Sequence, residues 1–258
     1  MYELLKETEI EYVRCFSKEE KEGFVTKFSD ESFQDSYANN LTILNKTVDD
    51  KIKVEIINNE IYKSKKEKRD FLLFEVDGEI SKEVIKKLNI SPTSIDKLDY
   101  MKIETAEYIK INQRGDCVVK EVKTDEEYSD IIKINILDYA PLVGRSYSRR
   151  RIKRKVDVYK ESSNNLSCFI SYLEDEPVGS CELLWNKDVA KIEDFGVLKE
   201  YQNQGVGKSI LRNMLKKSYD DGVKTAYVIT ENKGRAKEMY KKLGFKKIGE
   251  KTQLIFSL

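Results

Sequence analysis

The sequence predicts an α/β (α+β) fold: a mixed, mostly antiparallel sheet flanked by helices, with a separate N-terminal α/β domain. Three observations carry this. Residues 166–197 hold three strand-like runs joined by two short turns. A glycine-bearing loop then leads into an amphipathic helix over 206–220. The chain has 258 residues. That is long for one core and comfortable for two, since cores stop growing at about 250–300 residues and domains cluster near 100–150.

In the N-terminal part, Ser17 to Lys27 reads as a short helix, with Ser17 as N-cap and Glu20 closing a capping box. Phe71 to Val76 reads as a strand stopped by the Asp77-Gly78 turn, and Ser81 to Leu88 as a helix with Val84, Ile85 and Leu88 on one face. The charge run Lys63 to Arg69 is expected in a loop or a solvated helix end. The pattern sharpens near Cys117, which places a domain boundary near residue 115: an accessory domain over 1–115 and a second domain over 116–258.

There, Val118, Val119 and Val122 suggest a strand. Thr124 and Glu127 form a capping box ahead of a helix lined by Tyr128, Ile131, Ile132 and Ile136. A second helix is expected within 146–161. Leu166–Leu173, Val178–Trp185 and Val189–Val197 read as an antiparallel meander. In the helix over 206–220, Ile210, Leu211, Met214 and Leu215 share a face, and Gly222 suits the left-handed position after its end. A strand over 225–230, a helix over 233–243 closed by Gly244, and two strands over 245–250 and 253–257 complete the chain.

Composition narrows the chemistry. Charged residues make up 36% of the chain, yet the formal net charge is +1. No overall field attracts nucleic acid or an anionic membrane. No apolar run is long enough to span a bilayer, and Met1 to Glu7 lacks a signal-peptide pattern, so a cytoplasmic protein is expected. The four cysteines are scattered without a C-x-x-C pair, which suits reduced thiols. There is no histidine. Triads with a His base and His-ligated metals are thereby excluded, and no metal is expected.

The segment Gln202-Asn203-Gln204-Gly205-Val206-Gly207 has a physical meaning. Its glycines let the main chain turn tightly and approach a ligand without a Cβ in the way. The helix that follows leaves N–H groups unpaired at the positive end of its dipole. Together these form an anion site suited to a pyrophosphate; a tight strand-to-helix turn is the alternative. A dinucleotide-binding G-x-G-x-x-G would need a third glycine where Ile210 stands.

With these residues in this order, the chain resembles the GNAT superfamily of acetyl-CoA-dependent N-acetyltransferases. Gln202, Gly205 and Gly207 match the family's Gln/Arg-x-x-Gly-x-Gly/Ala loop, and Ile192 to Val197 resembles the strand ahead of it. Asn232, Ala236, Tyr240, Gly244 and Phe245 match its Asn-x-x-x-Ala-x-x-x-Tyr-x-x-x-Gly-Phe pattern. The resemblance covers residues 116–258 and implies a GNAT-like acyl-CoA N-acyltransferase fold. It also admits reading residues 1–115 as a degenerate GNAT-like half.

The resemblance implies acetyl-CoA as cosubstrate and a small-molecule or peptide amine as acceptor. The backbone of Phe195, Val197 and Leu198 falls to the pantetheine arm. Gln202, Gln204, Gly205, Val206, Gly207, Lys208 and Ser209 fall to the pyrophosphate, with a solvated lysine the alternative for Lys208. Asn232 falls to the cofactor arm, with a helix N-cap as its alternative. Tyr240 falls to protonation of the departing thiolate, against a packed core tyrosine. An amine with a pKa of about 10.4 is neutral to only about one part in 10³ at pH 7, so a proton acceptor is needed. Strand parity puts Glu193 on the side of Phe195 and Val197, which makes Glu193 the candidate base, against a cross-strand salt bridge. The resemblance also implies a backbone N–H near Val197 for the oxyanion.

The basic run Arg145 to Lys155 reads as a solvated helix face, with recognition of an acidic acceptor or nucleic acid as the alternative. A membrane partner is not expected, and a homodimer is admitted. The competing class is a non-catalytic acyl-CoA-binding module.

Overall fold

The computed structural model describes residues 1–161 and 165–258. In chain order its elements begin with α1 (Tyr2–Arg14), β1 (Lys18–Glu22), β2 (Val25–Ser29), β3 (Leu41–Leu44), α2 (Asp50–Lys66), β4 (Phe71–Asp77), α3 (Lys82–Lys86) and β5 (Ser94–Glu104). They continue with β6 (Cys117–Glu121), α4 (Asp125–Val143), α5 (Arg145–Tyr159), β7 (Leu166–Leu173), β8 (Glu176–Asn186) and β9 (Val189–Val197). The last are α6 (Val206–Asp220), β10 (Thr225–Glu231), α7 (Arg235–Lys242) and β11 (Lys246–Ser257).

The chain folds as two compact units. The first comprises Met1–Cys15, Lys102–Val228 and Tyr240–Lys246; the second comprises Phe16–Met101, Ile229–Met239 and Lys247–Leu258. A single cut near residue 115 therefore does not describe the packing: α1 belongs to the first unit and β11 almost wholly to the second.

In the first unit the strand order is β10-β9-β8-β7-β6. The pairs β6–β7, β7–β8 and β8–β9 are antiparallel, and β9–β10 is parallel. The expected mixed, mostly antiparallel sheet flanked by helices is present. Thr124 and Glu127 form the expected capping box at the start of α4. Ile131 and Ile134 of α4 and Ile152 and Val156 of α5 pack with Cys168 and Ile170 of β7 in one buried cluster. Such burial contributes about 1.5–3 kcal/mol per large aliphatic side chain. Helix α6 buries Val206, Ile210, Leu211, Met214 and Leu215 on one face.

The second unit orders β1-β2-β3-β4-β11, with β5 beside β11. Its core joins Leu72, Phe74 and Val76 of β4 to Leu254 and Phe256 of β11 and Ile57 and Ile61 of α2. The expected helix over 17–27 is instead the β1–β2 hairpin, closed by Gly23-Phe24 between the paired Glu22 and Val25. Gly23 takes φ +59°, a left-handed value that glycine adopts freely. Val25, Thr26 and Phe28 are buried while Lys18, Glu20, Lys21 and Glu22 are exposed, so sheet packing overrides a helix-like start signal. The two expected terminal strands are one, β11.

Candidate active site

Strand β9 ends at Val197, a short turn follows over Lys199–Tyr201, and α6 starts at Val206. Gly205 caps α6 at φ +89°, and Asn203 takes φ +60°. The first N–H of the loop-to-helix junction to find a helical acceptor is that of Ser209, 3.1 Å from the Gly205 carbonyl. Among the described residues nothing accepts from the N–H groups of Val206, Gly207 and Lys208. A Cβ at Gly207 would stand 3.1 Å from Phe195 Cζ and 3.9 Å from Val197 Cγ2. Phe195 and Val197 thus face the α6 start.

The loop is braced from within. Gln202 Nε2 donates to the Val197 carbonyl at 2.9 Å, and Gln204 Nε2 to that of Glu200 at 2.7 Å. Arg114, which carries no sequence signal, donates through Nη1 to the Gln204 carbonyl at 3.2 Å and through its N–H to Ser209 Oγ at 2.9 Å. Two expected ligand residues are corrected here. Ser209 is fully buried, its hydroxyl donating to Gly205 O at 3.3 Å, so it holds the loop and does not face a ligand. Leu198 donates its N–H to Val178 O at 2.9 Å, and its side chain lies in the α4–α5–β7 core. Lys208 is exposed.

The β9–β10 ladder pairs Val189, Ala190 and Lys191 with Thr225, Ala226 and Tyr227, and its register does not extend along Ile192–Val197. Because Leu198 N–H points to β8, alternation turns the N–H and C=O of Val197 to the opposite edge. That edge can pair with an extended polar ligand.

Glu193 breaks the parity expectation. Its Cα partner is Glu182, while Gly196 partners Ser180, so three steps on β9 oppose two on β8. This is a β-bulge, and Asp194 within it takes φ +47°. Glu193 is thereby separated from the face of Phe195 and Val197. Its carboxylate pairs with Lys191 at 2.7 Å, and Lys191, 2% exposed, also meets Glu9 of α1 at 2.5 Å.

Next to the bulge lies a buried charged layer. Asp194 accepts from Arg151 Nη2 at 2.5 Å and Tyr139 Oη at 2.6 Å, and lies 3.2 Å from Lys155 Nζ. Burial opposes its ionisation, but Arg151 and Lys155 outweigh that and hold the carboxyl below the usual range. Glu182 accepts from Lys155 and Tyr12, each at 2.6 Å, and from Tyr159. The basic run is therefore divided: Arg149 and Arg150 are exposed, as expected of a solvated face, while Arg151 and Lys155 turn inward. A small, solvent-open pocket lies between α4 and the ends of β8 and β9. Ile134 and Leu198 form its apolar side, and Asn135, Asp138, Gly179, Ser180 and Gly196 its polar side.

Tyr240 is 6% exposed and packs its ring 5.2 Å from that of Phe245. Burial, then Cys181 and Glu193 nearby, push its phenol well above the ordinary value. Its hydroxyl has no hydrogen-bond partner among the described residues, unlike those of Tyr12, Tyr139, Tyr159, Tyr172 and Tyr227. Asn232 belongs to the second unit; its N–H donates to Lys97 O at 2.9 Å, and α7 starts three residues later, so it is not the N-cap. Burial raises the Cys168 and Cys181 thiols, which disfavours a thiolate nucleophile. Among the described residues no helix is long and apolar enough to cross a membrane, and no side-chain cluster is arranged for a metal ion.

The acetyltransferase (GNAT) family profile matches residues 130–245. An uncharacterized N-acetyltransferase of Bacillus subtilis (strain 168), CgeE, is 28% identical over 137 residues, covering 52% of this chain and 51% of that protein. The chain spans about half the length of the curated relatives it matches, 51% of this one and 59% of another. A functionally unknown conserved protein from Staphylococcus epidermidis superposes with a TM-score of 0.76 at 19% identity, covering 93% of this chain and 94% of that one. A GCN5-related N-acetyltransferase from Kribbella flavida superposes at 0.68 and 12% identity, covering 97% and 93%. Those identities speak to the fold. The stretch that matches the acetyltransferase (GNAT) family, residues 130–245, holds the glycine loop, the bulged strand and Tyr240.

Proposed function

We propose that this domain transfers an acetyl group from acetyl-CoA to a primary amine by direct attack in a ternary complex. The observation that carries this is the row of acceptor-free N–H groups at Val206, Gly207 and Lys208, at the positive end of a 15-residue helix with no Cβ at 205 or 207. Such a cradle fits a pyrophosphate. Gln204 and Gly205 extend it, and Lys208 is free to add charge from solvent.

Acetyl-CoA supplies the activated acyl group as a thioester. The open edge at Val197 offers an N–H beside Phe195, its carbonyl already accepting from Gln202, and that N–H suits an extended arm or a developing oxyanion. Tyr240 stays protonated across the physiological range and has a hydroxyl free to give its proton to the departing sulfur. Two carboxylates border the bulge, Glu193 and Asp138, and either could receive the amine proton.

Gly207→Val tests the cradle. The added methyl groups would meet the Phe195 ring and crowd the N–H row. Titration calorimetry with CoA is expected to show a dissociation constant raised about tenfold or more, about 1.4 kcal/mol, with the fold retained. Equal affinity in the two proteins would place the pyrophosphate elsewhere.

A further inference from the structure

We propose that Asp138 is the proton acceptor for the amine, and that the pocket beside it takes the acceptor as an alkylammonium. The inference rests on the acetyl-transfer reading above. It starts from the position of the carboxylate. A Cβ built on Gly196 would lie 3.1 Å from Asp138 Oδ2. The missing side chain at 196 lets this carboxylate lie close against the bulged strand, one residue before Val197; a Cβ there would push it back by a few tenths of an ångström. The pocket there also presents Asn135 and Ser180.

The neighbours of Asp138 are committed elsewhere. Asn135 Oδ1 accepts from Arg151 Nη1 at 2.9 Å, and its Nδ2 lies 3.4 Å from Ser180 Oγ. Asp194 is matched by Arg151, Lys155 and Tyr139. Glu193 is matched by Lys191. Asp138 alone of these carboxylates has neither an ion pair nor a hydrogen bond among the described residues. The charged groups that face it are Asp194 on β9 and Arg151 on α5, with Lys155 and Tyr139 behind Asp194. Burial, then Asp194, raise its carboxyl above the ordinary value, and Arg151 offsets part of this. A half-buried carboxylate left without a cation is costly to the fold and attracts an ammonium from solvent.

The proton balance follows. The Asp138 carboxylate takes one proton from the ammonium, and the freed nitrogen pair forms the N–C bond to the thioester carbon. When the C–S bond breaks, its pair goes to sulfur, which takes the Tyr240 proton. The second nitrogen proton leaves through solvent and restores the phenol. Asp138 then re-ionises, so one proton is released per turnover.

The test is Asp138→Asn in the full chain, with acetyl-CoA and two acceptor classes: simple alkylamines, protonated at pH 7, and hydrazides, neutral there. For alkylamines, kcat/KM is expected to fall about a hundredfold, and the acid limb of the pH profile, lying above the ordinary Asp value, is expected to vanish. For hydrazides the fall is expected to stay within about threefold, because no ammonium proton has to be removed. CoA affinity and thermal midpoint at pH 7 are expected to hold. Equal losses for both classes, or none, would overturn the assignment. A readout independent of turnover is the Asp138 carboxyl carbon followed by NMR in the CoA-bound protein. It is expected to titrate above the ordinary Asp value and to move lower when propylamine is added. A resonance unmoved by the amine would also overturn it. Failure of the wild-type protein to bind CoA would instead remove the acetyl-transfer reading.

Discussion

Tyr240→Phe is expected to lower kcat about 10²–10⁴-fold, the usual contribution of a positioned general acid, while CoA affinity stays within about twofold. The expectation follows from a buried tyrosine whose hydroxyl has no partner among the described residues. Phenylalanine keeps the ring contact with Phe245 and breaks no hydrogen bond among the described residues, so the thermal midpoint is expected to hold. A loss of activity without a loss of stability separates a proton donor from a packed core tyrosine. Unchanged turnover would remove the assignment.

Arg151→Ala is expected to destabilise the protein by about 3–5 kcal/mol in chemical denaturation, the cost of breaking a buried ion pair on one side. Arg151 donates to Asp194 and Asn135 and lies 3.9 Å over the Tyr139 ring. Its removal leaves Asp194 with Lys155 at 3.2 Å and Tyr139. The pH dependence has a definite sign. The folded-state value of Asp194 is depressed, so its contribution is present above the ordinary Asp value of about 3.9 and is lost as pH falls through the depressed one. In Arg151→Ala the depression shrinks, so the acid-side loss from this group, which starts near the ordinary Asp value, is expected to be smaller and to end at higher pH. A change below about 1 kcal/mol would mean that the layer is solvated.

Much of the first unit is legible because local and global preferences agree. Strands β7 and β9 and helix α6 follow apolar periodicity and turn signals, and their bounds match the sequence expectation residue for residue. Helix α1 is not legible, because its buried face mixes Leu5 and Val13 with Thr8 and Glu9. Glu9 becomes a sensible core residue only once Lys191 and Tyr227 have folded against it. The β1–β2 hairpin hides behind a capping-box look-alike in a Lys/Glu-rich segment.

The site divides in the same way. The glycine loop and Tyr240 are local patterns, visible at fixed spacing. Strand parity cannot reveal a bulge, so the side of Glu193 depends on the extra residue that β9 places opposite β8. Asp138 and Gly196 meet only through tertiary packing. One faint signal exists: Asn135 and Asp138, three residues apart, interrupt the isoleucine face of α4.

Acetyl transfer to an amine releases a free thiol only when an acceptor is present. The protein is mixed with acetyl-CoA and a panel of primary amines, free thiol is followed, and the acceptors are weighed by mass spectrometry. Saturable, amine-dependent release with one acetyl group added to the acceptor is expected. CoA binding without amine-dependent release would contradict acetyl transfer and make the domain a non-catalytic acyl-CoA-binding module.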